Sequence, residues 1–402
     1  MSDRQPSATP RKKRPKIGLA LAGGGPLAAV YEIGALAAIQ EAIPGLDLNG
    51  ADIYIGISAG GLVASGLANG ITPHQMCRLF IESDAGAESD PDLFRPELMM
   101  RPATGEICAR MASVPMLLAT GLFEYARQRG SVMAAFERLK QALPAGVVSG
   151  EGIHKYLSAA FSQPGRTNDF RALRKKLVIV ATDLDTGEAV CFGAKGRDDT
   201  PISRAVQASA AVPGLFPPVE IGGHYYVDGA LRKTLHASIA LEAGADLVLC
   251  VNPIVPYNAL KHHAPGALAR AGLLGVLSQT LRSILHSRVE IGMHNYRKTY
   301  PERDIILLQP SMDDAELFFT NIFSYATRRR MCEQAYQNTR MMLLQRRAEI
   351  GAKLARHGLA LKESVLRDTS LTLVKHPSAG GPLDRLVATL DDLDRYLKVA
   401  HS

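Results

Sequence analysis

Ile53-Tyr54-Ile55-Gly56-Ile57-Ser58-Ala59-Gly60-Gly61-Leu62-Val63-Ala64-Ser65 decides how the rest of this chain reads. A β-branched and aromatic stretch leads into Gly-x-Ser-x-Gly, and a small, apolar, helix-like run follows. A strand feeding a helix through that pattern is a nucleophile elbow. Gly56 and Gly60 let the backbone turn tightly enough to push the Ser58 hydroxyl into the open. Upstream, residues 16–21 read as a short buried strand. Gly23-Gly24-Gly25-Pro26 then turns into a helix over about 27–42, with Pro26 suited to the first turn. Downstream, residues 217–221 and 224–227 pair as a hairpin about Gly222-Gly223 that ends at Asp228-Gly229-Ala230.

The whole chain bounds these readings. At 402 residues, with 47% hydrophobic and 21% charged residues, it is long enough to bury a core. Its formal charge is +7. Arg4, Arg11, Lys12, Lys13, Arg14 and Lys16 stand against Asp3 alone in the first 16 residues, so most of that charge is a property of the tail. The folded part therefore does not read as a nucleic-acid binder. A solvated tail is the plainer reading, and an arm for an anionic membrane the other. Cys77, Cys108, Cys191, Cys250 and Cys332 are odd in number, far apart and without a C-x-x-C pair. They fit a reducing, cytoplasmic compartment rather than a disulfide frame or zinc site. The basic run before residues 17–22 imitates a signal peptide, but the apolar stretch is better explained as a strand entering the glycine loop. No uninterrupted span of ~20 apolar residues suggests a transmembrane helix.

Further strands are expected at 177–181, 189–192, 247–251 and 305–308, with helices between them. That alternation implies an α/β sheet with helices on both faces. Residues 72–171 read as a largely helical insertion, 267–298 as one helix, and the chain beyond 313 as nearly all helical.

Ser58 needs a base and an oxyanion hole to act as a nucleophile. His376 lies in the right half of the chain for a triad, but Ser58 follows only two strands, which is early for such a fold. A carboxylate touching Ser58 directly is the alternative. Asp228, at a strand end before Gly229, can emerge from the sheet edge, although Asp-Gly is also a common plain turn. Gly23, Gly24 and Gly25 offer unobstructed N–H groups at a helix start, suited to a phosphate or a transient oxyanion. A nucleotide site is poorly supported, because Ala28 breaks G-x-G-x-x-G. His286, Glu290 and His294 have metal-sharing spacing but read better as a solvated helix face. His262-His263 read as solvent-facing, and Asp183 and Asp185 read as a hairpin turn. Arg328-Arg329-Arg330 and Arg346-Arg347 give the C-terminal helices a basic side, solvated by default and suited to anionic lipid otherwise. The apolar row from Leu273 to Leu285 would either enter a bilayer surface or pack on the sheet.

Taken in order, Gly23-Gly24-Gly25, Gly56-Ile57-Ser58-Ala59-Gly60 and Asp228-Gly229-Ala230 resemble the motifs of patatin-like phospholipases. Ala181-Thr182-Asp183-Leu184-Asp185-Thr186-Gly187 is similar to that family's central strand and turn. Ala208-Ser209-Ala210-Ala211-Val212-Pro213-Gly214-Leu215-Phe216-Pro217-Pro218 resembles the linker before its aspartate hairpin. The resemblance covers about residues 16–310. It implies a three-layer α/β fold with a central, mostly parallel sheet. It further implies a serine hydrolase of lipid acyl esters, with Ser58 as nucleophile, Asp228 as base, the Gly23–Gly25 loop as oxyanion hole, and no metal or organic cofactor. The organisation that follows is a disordered basic tail over 1–15, a catalytic domain over 16–312 and a helical extension over 313–402 that covers the site's mouth or faces a membrane. The chain departs from the family where Pro26-Leu27-Ala28 replace a basic residue and a further glycine, and where Leu231-Arg232-Lys233-Thr234 lack the usual asparagines. An acyltransferase using the same dyad and a lipid-binding scaffold are the rival readings.

Overall fold

The computed structural model describes residues 14–81, 144–261, 263–313 and 325–374, with isolated positions at 102–104, 112 and 116. The tail to residue 13, most of the expected helical insertion, His262, and His376 with the chain end lie outside the described residues.

Strand β1 (Ile17–Leu21) is buried on both sides. It pairs in parallel with β2 (Ile53–Gly56) and with β7 (Leu247–Val251), and β7 pairs in parallel with β8 (Asp304–Leu308). On the other side β2 runs parallel to β3 (Lys176–Asp183). β4 (Ala189–Phe192) and β6 (His224–Asp228) pair antiparallel to β3, and β5 (Val219–Ile221) closes the hairpin with β6. The result is an eight-stranded mixed sheet whose central part is parallel. Near-continuous apolar runs such as Ile17-Gly18-Leu19-Ala20-Leu21 suit strands covered on both faces.

The period of two along these strands divides the core into two layers. Leu19, Leu21, Tyr54, Ile179 and Leu249 point into one. Helices α1 (Pro26–Ala42), α2 (Ala59–Ala68), α3 (Pro73–Phe80), α4 (Glu151–Phe161) and α5 (Ile202–Ser209) contribute buried side chains to that layer. Ala20, Ile55, Val178, Val180 and Cys250 point into the other. There α6 (Ala237–Glu242) and α7 (Gly272–Thr299) cover the sheet. The fold is thus the expected three-layer α/β arrangement.

Helix α1 is buried on every side from Leu27 to Ile39, because it lies between the sheet and α8 (Tyr325–Gln345). Gly34 makes that contact close. A β-carbon there would stand 2.4 Å from the Cys332 carbonyl oxygen. Met331, Cys332 and Ala335 of α8, and Ile350 and Leu354 of α9 (Arg347–Arg356), share the first core. Arg328 is accordingly buried and donates to the Phe80 carbonyl at 3.3 Å. This corrects the expectation of a solvated basic side there, since only Arg330 and Arg347 of the two clusters are exposed.

Candidate active site

Three strands bring the two sequence signals together. Gly56 at the end of β2 stands opposite Ile179, and Asp228 at the end of β6 stands opposite Ala181. β4 already holds the other edge of β3 at both places, pairing Ile179 with Phe192 and Ala181 with Val190. β2 and β6 must therefore lie along the same edge of β3. One runs parallel to it and the other antiparallel, so their C-terminal ends converge across Val180.

Ser58 sits at that convergence, 2% exposed, as the residue before α2. Its φ of 53° and ψ of −122° make it the sole non-glycine residue with positive φ among the described residues. A side chain in such a conformation costs of order 1–3 kcal/mol. Surrounding bonds hold it there. The Ser58 N–H donates to Ser209 Oγ at 2.7 Å, and that hydroxyl donates to the Val180 carbonyl at 2.6 Å. The Ser58 carbonyl accepts from Gly61 and Leu62 as α2 begins. The elbow also needs Gly60, where a β-carbon would lie 2.5 Å from the Ala22 carbonyl oxygen.

Asp228 is 4% exposed and held at every backbone group. Its N–H donates to the Ala211 carbonyl at 2.9 Å, and its carbonyl accepts from Thr182 Oγ1 at 3.1 Å. Its Oδ1 accepts the Ala230 N–H at 2.8 Å. Burial pushes the carboxyl up from 3.8 to about 6, while hydrogen bonds from the Ala230 N–H and the Ser58 side chain pull it the other way. Ser58 and Asp228 thus lie at neighbouring strand ends, on either side of the Val180 position of β3. The turn after α5 grips both, Ser209 holding Ser58 and Ala211 holding Asp228. Gly229 lets the chain pass, since a β-carbon there would meet the Val180 carbonyl oxygen at 2.2 Å.

The glycine loop lies against the elbow. A β-carbon on Gly23 would stand 3.0 Å from Ser58 Cβ. Gly24 and Gly25 adopt φ of 137° and 75°. Among the described residues, the N–H groups of Gly23, Gly24 and Gly25 donate to no protein acceptor, and α1 starts without a side-chain cap. These donors, beside the positive end of a helix, favour an anion or a developing negative charge.

The other sequence candidates fall elsewhere. Asp183 accepts the N–H groups of Asp185 and Thr186 at 3.0 and 2.9 Å, the expected turn. His286 is buried against the second core layer and lies 3.5 Å from Glu290, which corrects its reading as part of a solvated face. No group of three His, Cys, Asp or Glu able to hold a metal occurs among the described residues. His263 is exposed. Ser209 and Thr182 were not singled out in the sequence. A serine in Ala208-Ser209-Ala210 gives no local sign that its hydroxyl joins the Ser58 elbow to β3.

The patatin-like phospholipase family model matches residues 19–241, from β1 into α6. The chain belongs to that family. It is also similar to uncharacterized NTE family proteins of Mycobacterium tuberculosis and Mycobacterium bovis, 34% identical over 73 residues. Those matches span 18% of this chain and 19% of each relative, about a fifth of the relatives' length. Among solved structures it is similar to VipD of Legionella pneumophila, with 19% identity over 83% of this chain and 67% of that one and a TM-score of 0.37. It is likewise similar to the type III effector ExoU of Pseudomonas aeruginosa, with 17% identity over 83% of this chain and 53% of that one and the same TM-score.

Proposed function

We propose that this protein is a lipid acyl hydrolase that works through a Ser58–Asp228 dyad and an acyl-serine intermediate. The observation that carries the reading is the convergence, across Val180, of a buried serine on a strained elbow and a buried carboxyl raised to about 6. Family membership supports a lipid ester as substrate.

In this mechanism the Asp228 carboxylate accepts the Ser58 hydroxyl proton as Oγ attacks the acyl carbonyl carbon. The carbonyl oxygen becomes an oxyanion and is received by N–H groups of Gly24 and Gly25, with the α1 dipole behind them. Collapse breaks the ester C–O bond, and the departing alkoxide takes the proton from Asp228. Water then attacks the acyl-serine, giving its proton to Asp228, and Ser58 leaves as the free hydroxyl with that proton. An ordinary carboxyl near 4 would be a weaker base. One raised to about 6 is still ionised at neutral pH and binds the transferred proton more readily. The replacement of a basic residue by Pro26-Leu27-Ala28 leaves the backbone donors unaffected.

The test is release of fatty acid from phospholipid and from a soluble acyl ester. Wild type is expected to turn over at least one of them, and Ser58→Ala and Asp228→Asn to fall by about 10³-fold or more. Turnover by Ser58→Ala at the wild-type rate would refute the reading. An acyltransferase would instead move the acyl group to an added alcohol in preference to water.

A further inference from the structure

Helix α7 is apolar on two faces, and the sheet uses only one. Val289, Met293 and Tyr296 pack into the second core layer. On the opposite side Leu273, Leu277, Leu281, Ile284 and Ile291 form a row at helical spacing, each between 43% and 73% exposed. Exposed apolar side chains scattered singly are ordinary, whereas a contiguous row on one helix marks an interaction surface.

Charge says what that surface suits. Between Asp246 and Glu290 the chain has no acidic residue, while it carries Lys261, Arg270, Arg282 and Arg288. Arg288 lies on the apolar row itself and is exposed. Its guanidinium donates to the Leu231 carbonyl at 2.6 Å. Leu231 is also exposed and stands three residues beyond Asp228. The row is therefore tied to the segment that carries Asp228, and α7 carries Arg282, Arg288, Arg297 and Lys298 against the single acid Glu290, while Lys261 is paired with Asp313. Apolar side chains that enter the acyl boundary, with arginines at headgroup level, are the composition of an interfacial helix. A two-fold contact between copies would set the same arginines against each other.

We propose that the outer face of α7, with Leu231, docks on an anionic lipid bilayer and so presents the Ser58–Asp228 site to the membrane. The choice of a lipid surface rests on the acyl-hydrolase reading. Burying two leucine-sized side chains is worth about 1.5–3 kcal/mol each, or about a hundredfold or more in partitioning for the pair.

The experiment is co-sedimentation of the full chain carrying Ser58→Ala, so that turnover cannot alter the lipid, with phosphatidylcholine vesicles with and without phosphatidylglycerol. Binding is expected only with phosphatidylglycerol. Adding Leu277→Asp and Ile284→Asp is expected to weaken it about a hundredfold or more. Met341→Asp, at an exposed apolar residue on α8, serves as the control and is expected to leave binding unchanged. In the otherwise wild-type chain the α7 pair is expected to keep its melting temperature and its rate on a soluble short-chain ester. Equal binding by the α7 variant and its parent would overturn the docking surface. So would absence of binding by the parent, or a dimer that the α7 pair converts to a monomer. Stripe-dependent binding by a protein with no Ser58-dependent ester hydrolysis would leave the surface standing and remove the hydrolase reading. Hydrolysis with stripe-independent binding would do the reverse.

Discussion

The elbow and the glycine loop lie against each other, yet they treat their backbone donors in opposite ways. At the elbow the Ser58 N–H is taken by Ser209, and the Ser58 carbonyl is taken by the first turn of α2. In the loop the N–H groups of Gly23, Gly24 and Gly25 have no protein acceptor among the described residues. The elbow uses its bonds to hold a serine at a positive φ that side chains rarely adopt. The loop avoids that strain by being glycine and keeps its donors open. The division suits a site in which one part must be rigid before reaction and the other must receive charge that exists only during it.

The largest expected effect comes from closing the open donors. A β-carbon on Gly24 would lie 2.8 Å from Ala28 Cβ and 3.1 Å from the Ile254 side chain, whereas one on Gly25 meets nothing within 4 Å. Gly24→Ala is expected to lower kcat by about 10²–10³-fold, the usual cost of a displaced oxyanion donor. Gly25→Ala, which bears only the backbone strain, should lose clearly less. Equal losses in steady-state kinetics would break the contrast.

A second effect concerns stability. Asp228 has a carboxyl near 6 in the fold against 3.8 in an open chain. A raised carboxyl favours folding below about pH 4, and that advantage disappears as pH rises through about 6. At pH 7 the difference corresponds to ~3 kcal/mol against the fold. Asp228→Asn is therefore expected to be more stable than wild type at pH 7 by about 1–3 kcal/mol, with the gain gone below pH 4. Chemical denaturation at the two pH values measures it, and a destabilised variant at pH 7 would contradict the assignment.

Ser209→Ala probes the elbow's anchor. It orphans the buried Ser58 N–H and is expected to cost about 1–3 kcal/mol of stability and about tenfold in kcat. Unchanged activity would show that the elbow holds its shape without Ser209.

The smallest effect on activity belongs to Glu32, a buried carboxyl on α1 whose two oxygens lack any hydrogen bond among the described residues. Burial raises it well above its ordinary value. Folding stability should therefore decline as pH rises above about 4.5, where the open chain releases the proton first. Glu32→Gln is expected to flatten that decline without changing kcat. Melting temperatures across pH for both proteins would expose a different source of pH dependence.

Much of this was legible in the sequence where local chemistry decides. The strands showed as short apolar runs, and Gly56-Ile57-Ser58-Ala59-Gly60 announced a strand-to-helix turn. The Asp-Gly step could equally have been a plain turn, because its meaning depends on register. Only the occupation of β3's far edge by β4 brings the ends of β2 and β6 together. The chain expected to be one helix over 267–298 divides at Gly272, whose φ of 74° starts α7 anew after a short turn of helix at Ala267–Arg270. Arg328 looked like surface because its row is basic. Its burial follows from the close approach of α8 to Gly34, a long-range contact with no local signal.

The most direct test of the dyad is the rate at which a fluorophosphonate labels the protein as pH is varied. Wild type should be labelled on Ser58, with a rate that rises about tenfold per pH unit below about pH 6 and levels off above it, as Asp228 ionises. Asp228→Asn should label slowly with no such step, and Ser58→Ala not at all. Labelling of Ser58 at the same rate in Asp228→Asn, or a rate independent of pH between 4 and 8, would contradict the role given to Asp228.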